Sequence, residues 1–310
     1  MEIKSYREGD EKAILELFEI CFGKSMSYDF WKWRFRENPF ANKMYIDLMW
    51  DGPKLVGHYA VCPVEMIIDS KLEQTALSMT TMTHPEYGGM GIFTSLANSL
   101  YDKLKNDGFF MVWGFPNSNS HYGFCKNLNW IDIGTIPMMI ARINNLKPNE
   151  NNDVVYLDSL DKLEFIPFFN IDKPIRLNST TKYLKWRYFQ NPADIYKVIV
   201  NQNKNSLLIY KLFSQDTLKK HIEIDIMELK INDINDLVEF INFILKNEGA
   251  ETIKINLWDT VFSINYSILE KFGFRMEAPI TYLGVRLFNE SQKIADFRNW
   301  DLSFGYSDVF

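Results

Sequence analysis

Apolar residues recur at three- and four-residue steps in several parts of the chain, and each of these parts is typical of a helix. One predicted helix begins after Asp10, a favourable N-cap residue, and ends at Gly23. A second spans the aromatic stretch Tyr28–Arg36. The third has its apolar face between positions 93 and 104 and ends before Gly108. Each helix therefore has one face to bury against a sheet.

Runs of β-prone residues between turn residues predict the strands of that sheet. The turn Asp51-Gly52-Pro53, for example, separates two such runs. The predicted order is one strand, two helices, four strands, a helix, a strand, a short helix through 124–128 and a last strand. These strands are predicted at 2–7, 45–50, 55–62, 64–69, 76–83, 109–114 and 136–143.

The polar segment 146–153 carries a proline and is typical of a linker between domains. With 310 residues, the chain is long enough for two domains of about 150 residues each. The sequence thus predicts one domain over residues 1–145 and a second over 154–310.

A glycine-rich turn lies between the strand at 76–83 and the third helix. Gly88, Gly89 and Gly91 fall within four positions and leave backbone N–H groups uncovered, where the helix presents its unpaired amides and positive dipole end. Such a turn binds a phosphate or pyrophosphate, or it serves only as a tight connection. A Walker loop is excluded because the Gly-Lys-Ser/Thr ending is absent. A dinucleotide fingerprint is excluded because the next strand ends without an acidic residue.

The stretch His84–Phe93 resembles the acyl-CoA loop of the GNAT superfamily of N-acyltransferases, in which Gln/Arg-x-x-Gly-x-Gly/Ala follows a splayed fourth strand. The resemblance implies that acetyl-CoA is the co-substrate and that loop amides bind its pyrophosphate. Gly88 takes the place of the family's Arg or Gln, so one side-chain contact to phosphate is missing. The residues implied in binding acetyl-CoA are Met82, Thr83, Gly88, Gly89, Met90, Gly91, Ile92, Phe93 and Asn117.

The segment from Asn117 to Trp130 resembles the family's Asn…Leu-Tyr-x-x-Leu-Gly-Phe motif. Cys125 falls where many members carry the tyrosine that protonates the departing CoA thiolate, and Tyr122 lies three positions earlier. The resemblance implies one of these two as the general acid. A buried apolar cysteine is the structural alternative for Cys125.

Transfer to an amine also needs a base that removes the amine's proton. His84 and His121 are candidates because an unperturbed imidazole titrates near pH ~6.5, and Glu86 is the carboxylate alternative. Each has a structural alternative, since His84 precedes a proline and would shape the turn, and His121 would lie on the surface. His58 and His221, on predicted strands, are expected to be structural.

The chain repeats itself past position 153. Lys32–Pro39 and Lys185–Pro192 share five of eight residue types, and Leu128–Trp130 has a counterpart in Phe272–Phe274. A nearly constant offset is the mark of duplication. We therefore predict an α+β fold made of two tandem GNAT folds, with mixed, mostly antiparallel sheets flanked by helices. Trp31, Trp33 and Trp186 are expected to pack in the core between them.

The second copy is expected to be degenerate. The strand at 221–229 leads into Asp233 and Asp236 at a helix start, without glycines, and these carboxylates would repel a pyrophosphate. One acetyl-CoA per chain is therefore expected. The second copy would stabilise the first, shape its substrate pocket or form a homodimer.

Charge and composition exclude several other classes. The net charge of −6 argues against a nucleic-acid-binding protein, which usually has a basic face. Cys21, Cys62 and Cys125 are too few and too scattered for a disulfide framework or a zinc site, so no metal is expected. The start of the chain does not have the pattern of a leader, and no apolar run would span a membrane. A cytoplasmic protein is expected.

The leading hypothesis is an enzyme that moves an acetyl or other acyl group from acyl-CoA to the primary amine of a small molecule, such as an amino sugar or amino acid. The first alternative is a Femx-type peptidyl transferase, which pairs two GNAT-like domains and uses aminoacyl-tRNA. The second is a catalytically inactive acyl-CoA-binding module, because Gly88 and Cys125 depart from the family pattern.

Overall fold

The structure is a computed structural model that describes residues 1–142, 154–160, 173–203, 205–214, 222–231, 233–248, 252–259 and 266–307. The predicted linker at 146–153 and His221 lie outside the described residues. We call residues 1–142 the N-terminal segment and 154–307 the C-terminal segment.

The N-terminal segment follows the predicted order of helices and strands closely. Its second helix begins as an α-helix and continues as a π-helical turn over Lys32–Arg36. In order, the elements are β1 (Glu2–Ser5), α1 (Glu11–Phe22), α2 (Tyr28–Trp31), β2 (Tyr45–Asp51), β3 (Lys54–Ile68), β4 (Lys71–Thr83), α3 (Ile92–Asn106), β5 (Met111–Gly114), α4 (His121–Leu128) and β6 (Ile131–Arg142).

The C-terminal segment has a similar order. Its first helix also continues as a π-helical turn, over Lys185–Phe189. The elements are β7 (Val154–Tyr156), β8 (Ile175–Leu177), α5 (Thr181–Leu184), β9 (Tyr196–Asn201), β10 (Leu207–Phe213), β11 (Ile222–Lys230), α6 (Ile234–Glu248), β12 (Thr252–Trp258), α7 (Tyr266–Lys271) and β13 (Arg275–Leu287). A tail with a 3₁₀ turn at Phe304–Tyr306 follows.

The prediction of two separate strands at 55–62 and 64–69 is wrong, because β3 runs unbroken through Pro63. On one side β3 pairs with β4 without interruption from Ala60 to Ile68. On its other side β2 ends opposite Val61 and β8 begins opposite Met66. Around Pro63 this second side has no strand partner, so a missing N–H there removes no ladder hydrogen bond.

One thirteen-stranded sheet passes through both segments, with the order β1-β2-β3-β4-β5-β13-β6-β12-β11-β10-β9-β7 and with β8 beside β3. Among the described strand pairs, only β4–β5 and β11–β12 are parallel. Helices flank this mostly antiparallel sheet, so the predicted α+β class is confirmed.

The two segments exchange their last strands. β13 of the C-terminal segment lies between β5 and β6, with Gly284 opposite Gly114. β6 of the N-terminal segment lies in turn between β13 and β12, with Arg142 opposite Lys254. Each segment therefore completes the other's part of the sheet. The division into two domains stays a prediction.

The repeated Lys-Trp-Arg sequence forms a symmetric contact at the centre of the molecule. The indole rings of Trp33 and Trp186 stack with their centroids 5.2 Å apart. Trp33 Nε1 donates a hydrogen bond to the Trp186 carbonyl oxygen (2.7 Å), and Trp186 Nε1 donates one to the Trp33 carbonyl oxygen (3.1 Å). Such reciprocal bonds are what a two-fold relation produces. Both rings are buried, as expected for residues of the shared core.

Candidate active site

A wedge opens between β4 and β5. The two strands pair in parallel only at Ala76–Val112 and Leu77–Trp113. Beyond these pairs β4 continues to Thr83, whereas β5 ends at Gly114. The separation leaves an open space bounded by the second half of β4 and by the chain after β5. This is the splayed strand that the sequence resemblance implies.

A β-bulge lies in β4 beside this wedge. The β3–β4 register shifts between His58 and Ala60, so that Thr80 and Thr81 stand where one residue would fit. Thr80 has a φ of 51°, in the left-handed region. Met82 faces His58 in the regular ladder again. The bulge therefore frees backbone groups at Thr80–Thr81 from the ladder.

His58 holds the bulge from inside the protein. Its Nδ1 lies 2.7 Å from the Thr80 carbonyl oxygen. Complete burial lowers the pKa of His58 to about 4, so the ring is neutral and its Nδ1–H donates to that carbonyl. Because the peptide is trans, the Thr81 N–H points away from His58. A histidine that the sequence analysis set aside as structural thus orients an amide of the wedge.

The glycine turn leads from the wedge into α3. Gly89 and Gly91 have φ values of 75° and 74°, which favour glycine. A Cβ added at either position would meet no atom within 4 Å, so the turn is open to solvent. Gly91 is the N-cap residue of α3 and offers no side-chain cap. The first amides of this fifteen-residue helix are therefore uncovered, as they are at helix starts that bind phosphate groups.

Other loop residues lie around this space. Ile92 is buried under the start of α3, and a Cβ at Gly57 of β3 would overlap its side chain. Met90 is 54% exposed. The Phe93 ring packs on Phe124 of α4 with centroids 5.0 Å apart, so the starts of α3 and α4 are neighbours.

His84 and Glu86 have structural contacts in the turn. His84 Nδ1 accepts a hydrogen bond from the Glu86 N–H (3.3 Å). The Glu86 carboxylate is exposed and pairs with Lys54 at 2.9 Å. Tyr87 donates to Asp51 (3.0 Å), so the turn is anchored to the β2–β3 hairpin. A catalytic role for His84 or Glu86 stays a prediction.

The chain after β5 builds the other wall of the wedge. Asn117 Oδ1 accepts hydrogen bonds from the N–H groups of Asn119 (3.0 Å) and Ser120 (3.2 Å). This local turn starts α4, whose first residue is His121. Asn117 thus shapes the approach to α4, and a contact with acyl-CoA stays a prediction. Tyr122 is 71% exposed and points away from the core.

A cluster of His121, Cys125 and Asp132 lies at this end of the wedge. One ligand atom from each lies within 4.8 Å of the others, and His121 Nε2 is 3.0 Å from Asp132 Oδ2. Burial and, secondarily, the charge of Asp132 raise the pKa of the Cys125 thiol. Tyr282 of β13 stacks on the His121 ring at 3.8 Å. Tyr282 lies two residues before Gly284, which pairs with the last residue of β5, so Tyr282 is beyond the end of β5. The cluster is therefore at the open side of the wedge.

Four residues of this site were not predicted from the sequence: His58, Thr81, Asp132 and Tyr282. Asp132 could have been found, because it follows the α4 motif by a few positions. The other three depend on a bulge and on a strand exchange, for which the sequence has no signal.

The C-terminal segment has an equivalent wedge, and its own tail fills it. β11 and β12 pair in parallel only as far as Asp225–Asn256. Beyond that pair, Ser303 Oγ of the tail donates a hydrogen bond to the Met227 carbonyl oxygen. The Phe304 ring lies edge-on against Trp258, 5.0 Å between centroids. This wedge therefore has no room for a second acyl-CoA.

The start of α6 is also closed to an anion. Asp233 accepts a hydrogen bond from the Asn235 N–H (2.9 Å). The Asp236 carboxylate accepts hydrogen bonds from Asn201 (3.0 Å) and from Ser206. The two carboxylates that the sequence places here thus bind groups of the protein itself.

Gly88 stands where the family has an Arg or Gln that contacts phosphate. Gly88→Arg should therefore tighten acyl-CoA binding. Gly88 has an ordinary φ of −57°, and an added Cβ would lie 3.5 Å from its nearest neighbour, so a side chain fits without strain. We expect a gain of about 1 kcal/mol, limited by solvent screening of an exposed pair. The measurement is calorimetric titration at low and high salt, with the uncharged Gly88→Leu as control. Equal affinities of the two variants would contradict the prediction.

No helix among the described residues combines the length and the apolar character needed to cross a bilayer.

Comparisons with known proteins bear on the same part of the chain. The acetyltransferase (GNAT) domain family matches residues 2–131. No curated protein matches the chain. A probable N-acyltransferase from Enterococcus faecalis V583 is similar in structure, with a TM-score of 0.71 and 11% identity over 93% of this chain and 72% of its own.

Two further solved structures are similar to the same extent. A GCN5-related N-acetyltransferase from Anabaena variabilis has a TM-score of 0.69 and 11% identity, over 93% of this chain and 73% of its own. Eis1 from Mycobacterium abscessus has a TM-score of 0.64 and 11% identity, over 93% and 74%.

At this identity the solved structures establish the fold. The family match contains the wedge, the glycine turn and α4, whereas Asp132 and Tyr282 lie outside it. Residues 2–131 of this chain therefore form an acetyltransferase (GNAT) domain, and the solved structures share the fold over most of the chain.

Proposed function

We propose that the protein transfers an acetyl group from acetyl-CoA to the primary amine of a small molecule. The observation that carries this proposal is the continuity of the wedge with the uncapped start of α3. The pyrophosphate would lie on the α3 amides, and the pantetheine arm would then enter the wedge between β4 and β5 as an added strand would. The thioester would reach the β4 bulge and the His121–Cys125–Asp132 cluster.

Polarisation of the thioester carbonyl is assigned to the bulge. The family resemblance implies Met82 and Thr83 of this strand in binding acetyl-CoA. Met82 is paired in the ladder, whereas Thr81 lies in the bulge with its N–H directed away from His58. We assign the Thr81 N–H as the donor to the carbonyl oxygen, where it would stabilise the oxyanion of the tetrahedral intermediate.

Proton transfer is assigned to α4. The amine attacks the carbonyl carbon, a C–N bond forms and the C–S bond breaks, and the CoA thiolate takes a proton from the Cys125 thiol. Cys125 is protonated at neutral pH because burial raises the pKa of its thiol. The His121–Asp132 pair lies beside Cys125 and would return the proton. His84, Glu86 and His121 all stay candidates for the base that deprotonates the amine.

The charge of the chain supports a small molecule over a tRNA-linked substrate. The net charge of −6 disfavours tRNA, because a nucleic-acid partner is usually bound by a basic face.

The test is an acetyl-transfer assay on the full chain with acetyl-CoA and a panel of amino sugars, amino acids and polyamines. Release of CoA thiol together with a product heavier by one acetyl group would support the proposal. Thermal-shift measurements with CoA and with tRNA should show stabilisation by CoA only. Stabilisation by tRNA instead, or thiol release without an acetylated amine, would overturn it.

Cys125→Ala should lower turnover by about tenfold to a hundredfold and leave the Michaelis constant for acetyl-CoA nearly unchanged. The reason is that a general acid acts only in the transition state, so its removal does not weaken ground-state binding. Steady-state kinetics measure both constants. The matched control is Tyr122→Phe, which removes the exposed phenol and should leave turnover intact. Loss of turnover in the control alone would move the acid to Tyr122.

A further inference from the structure

We propose that His121, Cys125 and Asp132 form a binding site for a divalent transition-metal ion of the Zn²⁺ class, and that the bound ion blocks acetyl transfer. The second part of this proposal rests on the proposed function. The first part concerns ion binding and stands on the cluster alone.

The three side chains come from one compact unit of the chain. His121 and Cys125 lie one turn apart on α4, and Asp132 is the second residue of β6. Asn129, with a φ of 53°, makes the sharp reversal between helix and strand. The three ligand atoms lie within 4.8 Å of one another. Ligands of a tetrahedral zinc ion lie roughly 2.0 to 2.3 Å from the metal, so small side-chain rotations would bring all three into contact with one ion.

The state of His121 is a second, independent observation. His121 Nε2 is buried and has no hydrogen-bond partner among the described residues. Asp132 Oδ2 lies 3.0 Å away, yet the geometry is not that of a hydrogen bond. Stacking on Tyr282, with an angle of 8° between the rings, holds the imidazole in this orientation. A buried ring nitrogen without a partner is costly, and a metal ion would use its lone pair.

The donor set selects the class of metal. An imidazole nitrogen, a thiolate and a carboxylate suit Zn²⁺ or Co²⁺, whereas Mg²⁺ and Ca²⁺ require oxygen ligands. Three protein ligands leave one coordination position open, which water or a CoA thiolate would take. From the sequence no metal is expected, because the cysteines are scattered. The cluster needs only one of them, together with a carboxylate from the next strand.

Metal binding removes the proton on which the proposed chemistry depends. The Cys125 thiol loses its proton to the buffer when the thiolate binds the ion. A metal-bound thiolate donates no proton to the leaving group. His121 gives its lone pair to the metal and no longer shuttles a proton. The ion would therefore act as a reversible inhibitor of the acetyl transfer.

Binding is tested on the metal-free full chain with Co²⁺ and Zn²⁺. Co²⁺ should produce a sulfur-to-cobalt charge-transfer band in the near ultraviolet, and Zn²⁺ should bind with a stoichiometry of one and displace the Co²⁺. Cys125→Ser should abolish the band, and Asp132→Asn should weaken Zn²⁺ binding by roughly a hundredfold. The control is Cys21→Ser, which changes another partly exposed thiol that is not part of the cluster and should keep the band.

A band that persists in Cys125→Ser, a band lost in Cys21→Ser, or the absence of Zn²⁺ binding to the wild-type chain would each overturn the site. Near-ultraviolet circular dichroism of each variant checks that it is folded. Inhibition is measured separately, as loss of acetyl transfer on Zn²⁺ addition and recovery with a chelator. A chain that binds Zn²⁺ but transfers no acetyl group refutes the proposed function and leaves the site standing. An active chain that Zn²⁺ does not inhibit refutes the blocking role.

Discussion

Gly91→Asp should abolish acetyl-CoA binding, and Gly91→Asn should reduce it only modestly. Gly91 is the N-cap residue of α3 with a φ of 74°, a conformation that costs an ordinary L-residue about 1 to 2 kcal/mol and that Asn and Asp adopt most readily. The two side chains are nearly equal in size, so strain and bulk are matched between the variants. Only aspartate brings a negative charge to the amides that would bind the pyrophosphate.

Calorimetric titration of both variants with acetyl-CoA measures the difference. We expect at least a hundredfold loss of affinity in Gly91→Asp relative to Gly91→Asn, because two like charges within ~4 Å repel by several kcal/mol where water is partly excluded. Thermal unfolding of each variant checks that neither has lost the fold. Equal affinities would show that the pyrophosphate lies elsewhere.

Gly305→Ala should destabilise the whole protein by about 3 kcal/mol or more. A Cβ at Gly305 would overlap the Tyr188 hydroxyl and stand 2.9 Å from Glu228 Oε1 and 3.0 Å from the Met227 carbonyl oxygen. All three groups are polar and buried, and the Tyr188 hydroxyl donates a hydrogen bond to Glu228 Oε1 (2.8 Å), which restricts both side chains. The tail therefore has to leave the second wedge if the side chain is to fit.

Displacement of the tail from the second wedge would also expose Phe304 and break a buried hydrogen bond. Phe304 is completely buried, and the Gly305 carbonyl oxygen accepts a hydrogen bond from Arg187 Nε (3.0 Å). Chemical denaturation compares Gly305→Ala with the control Gly88→Ala, whose Cβ would have an ordinary contact of 3.5 Å. Stability of Gly305→Ala within 0.5 kcal/mol or so of the wild type would mean that the tail is not packed in the wedge.

The local features of the site follow from the sequence because they depend on residues close together in the chain. Three glycines after a strand predict a tight turn and an uncovered helix start. Gly89 and Gly91 indeed adopt positive φ values, which glycine tolerates best. In the same way, Asp233 and Asp236 predict a helix start that is closed to anions. Apolar periodicity predicts α3 to within a few residues of its ends.

The strand exchange could not be predicted, because the same pattern of apolar and polar residues fits both the exchanged and the unexchanged positions of β6 and β13. β6 and β13 follow equivalent helices and loops, and each would bury the same apolar face beside its own segment or beside the other. The contact between His121 and Tyr282 arises only from the exchanged arrangement. Pro63 within β3 is a second feature that the sequence alone could not predict. Whether a strand tolerates a proline depends on where the neighbouring strands begin and end.

The exchanged strands also determine how late in its synthesis the chain can complete its sheet. The glycine turn, the wedge and α4 have all left the ribosome long before β13 is made. Until then β5 has no neighbour on one side, and β6 has neither β12 nor β13 beside it. At about 5 to 20 residues per second, the nascent chain would spend several seconds with these open strand edges. Unpaired edges recruit other strands, so this interval is when the chain most needs a chaperone. The proposed acetyl-CoA site lies in the N-terminal segment, yet its sheet is complete only after β13 has been made.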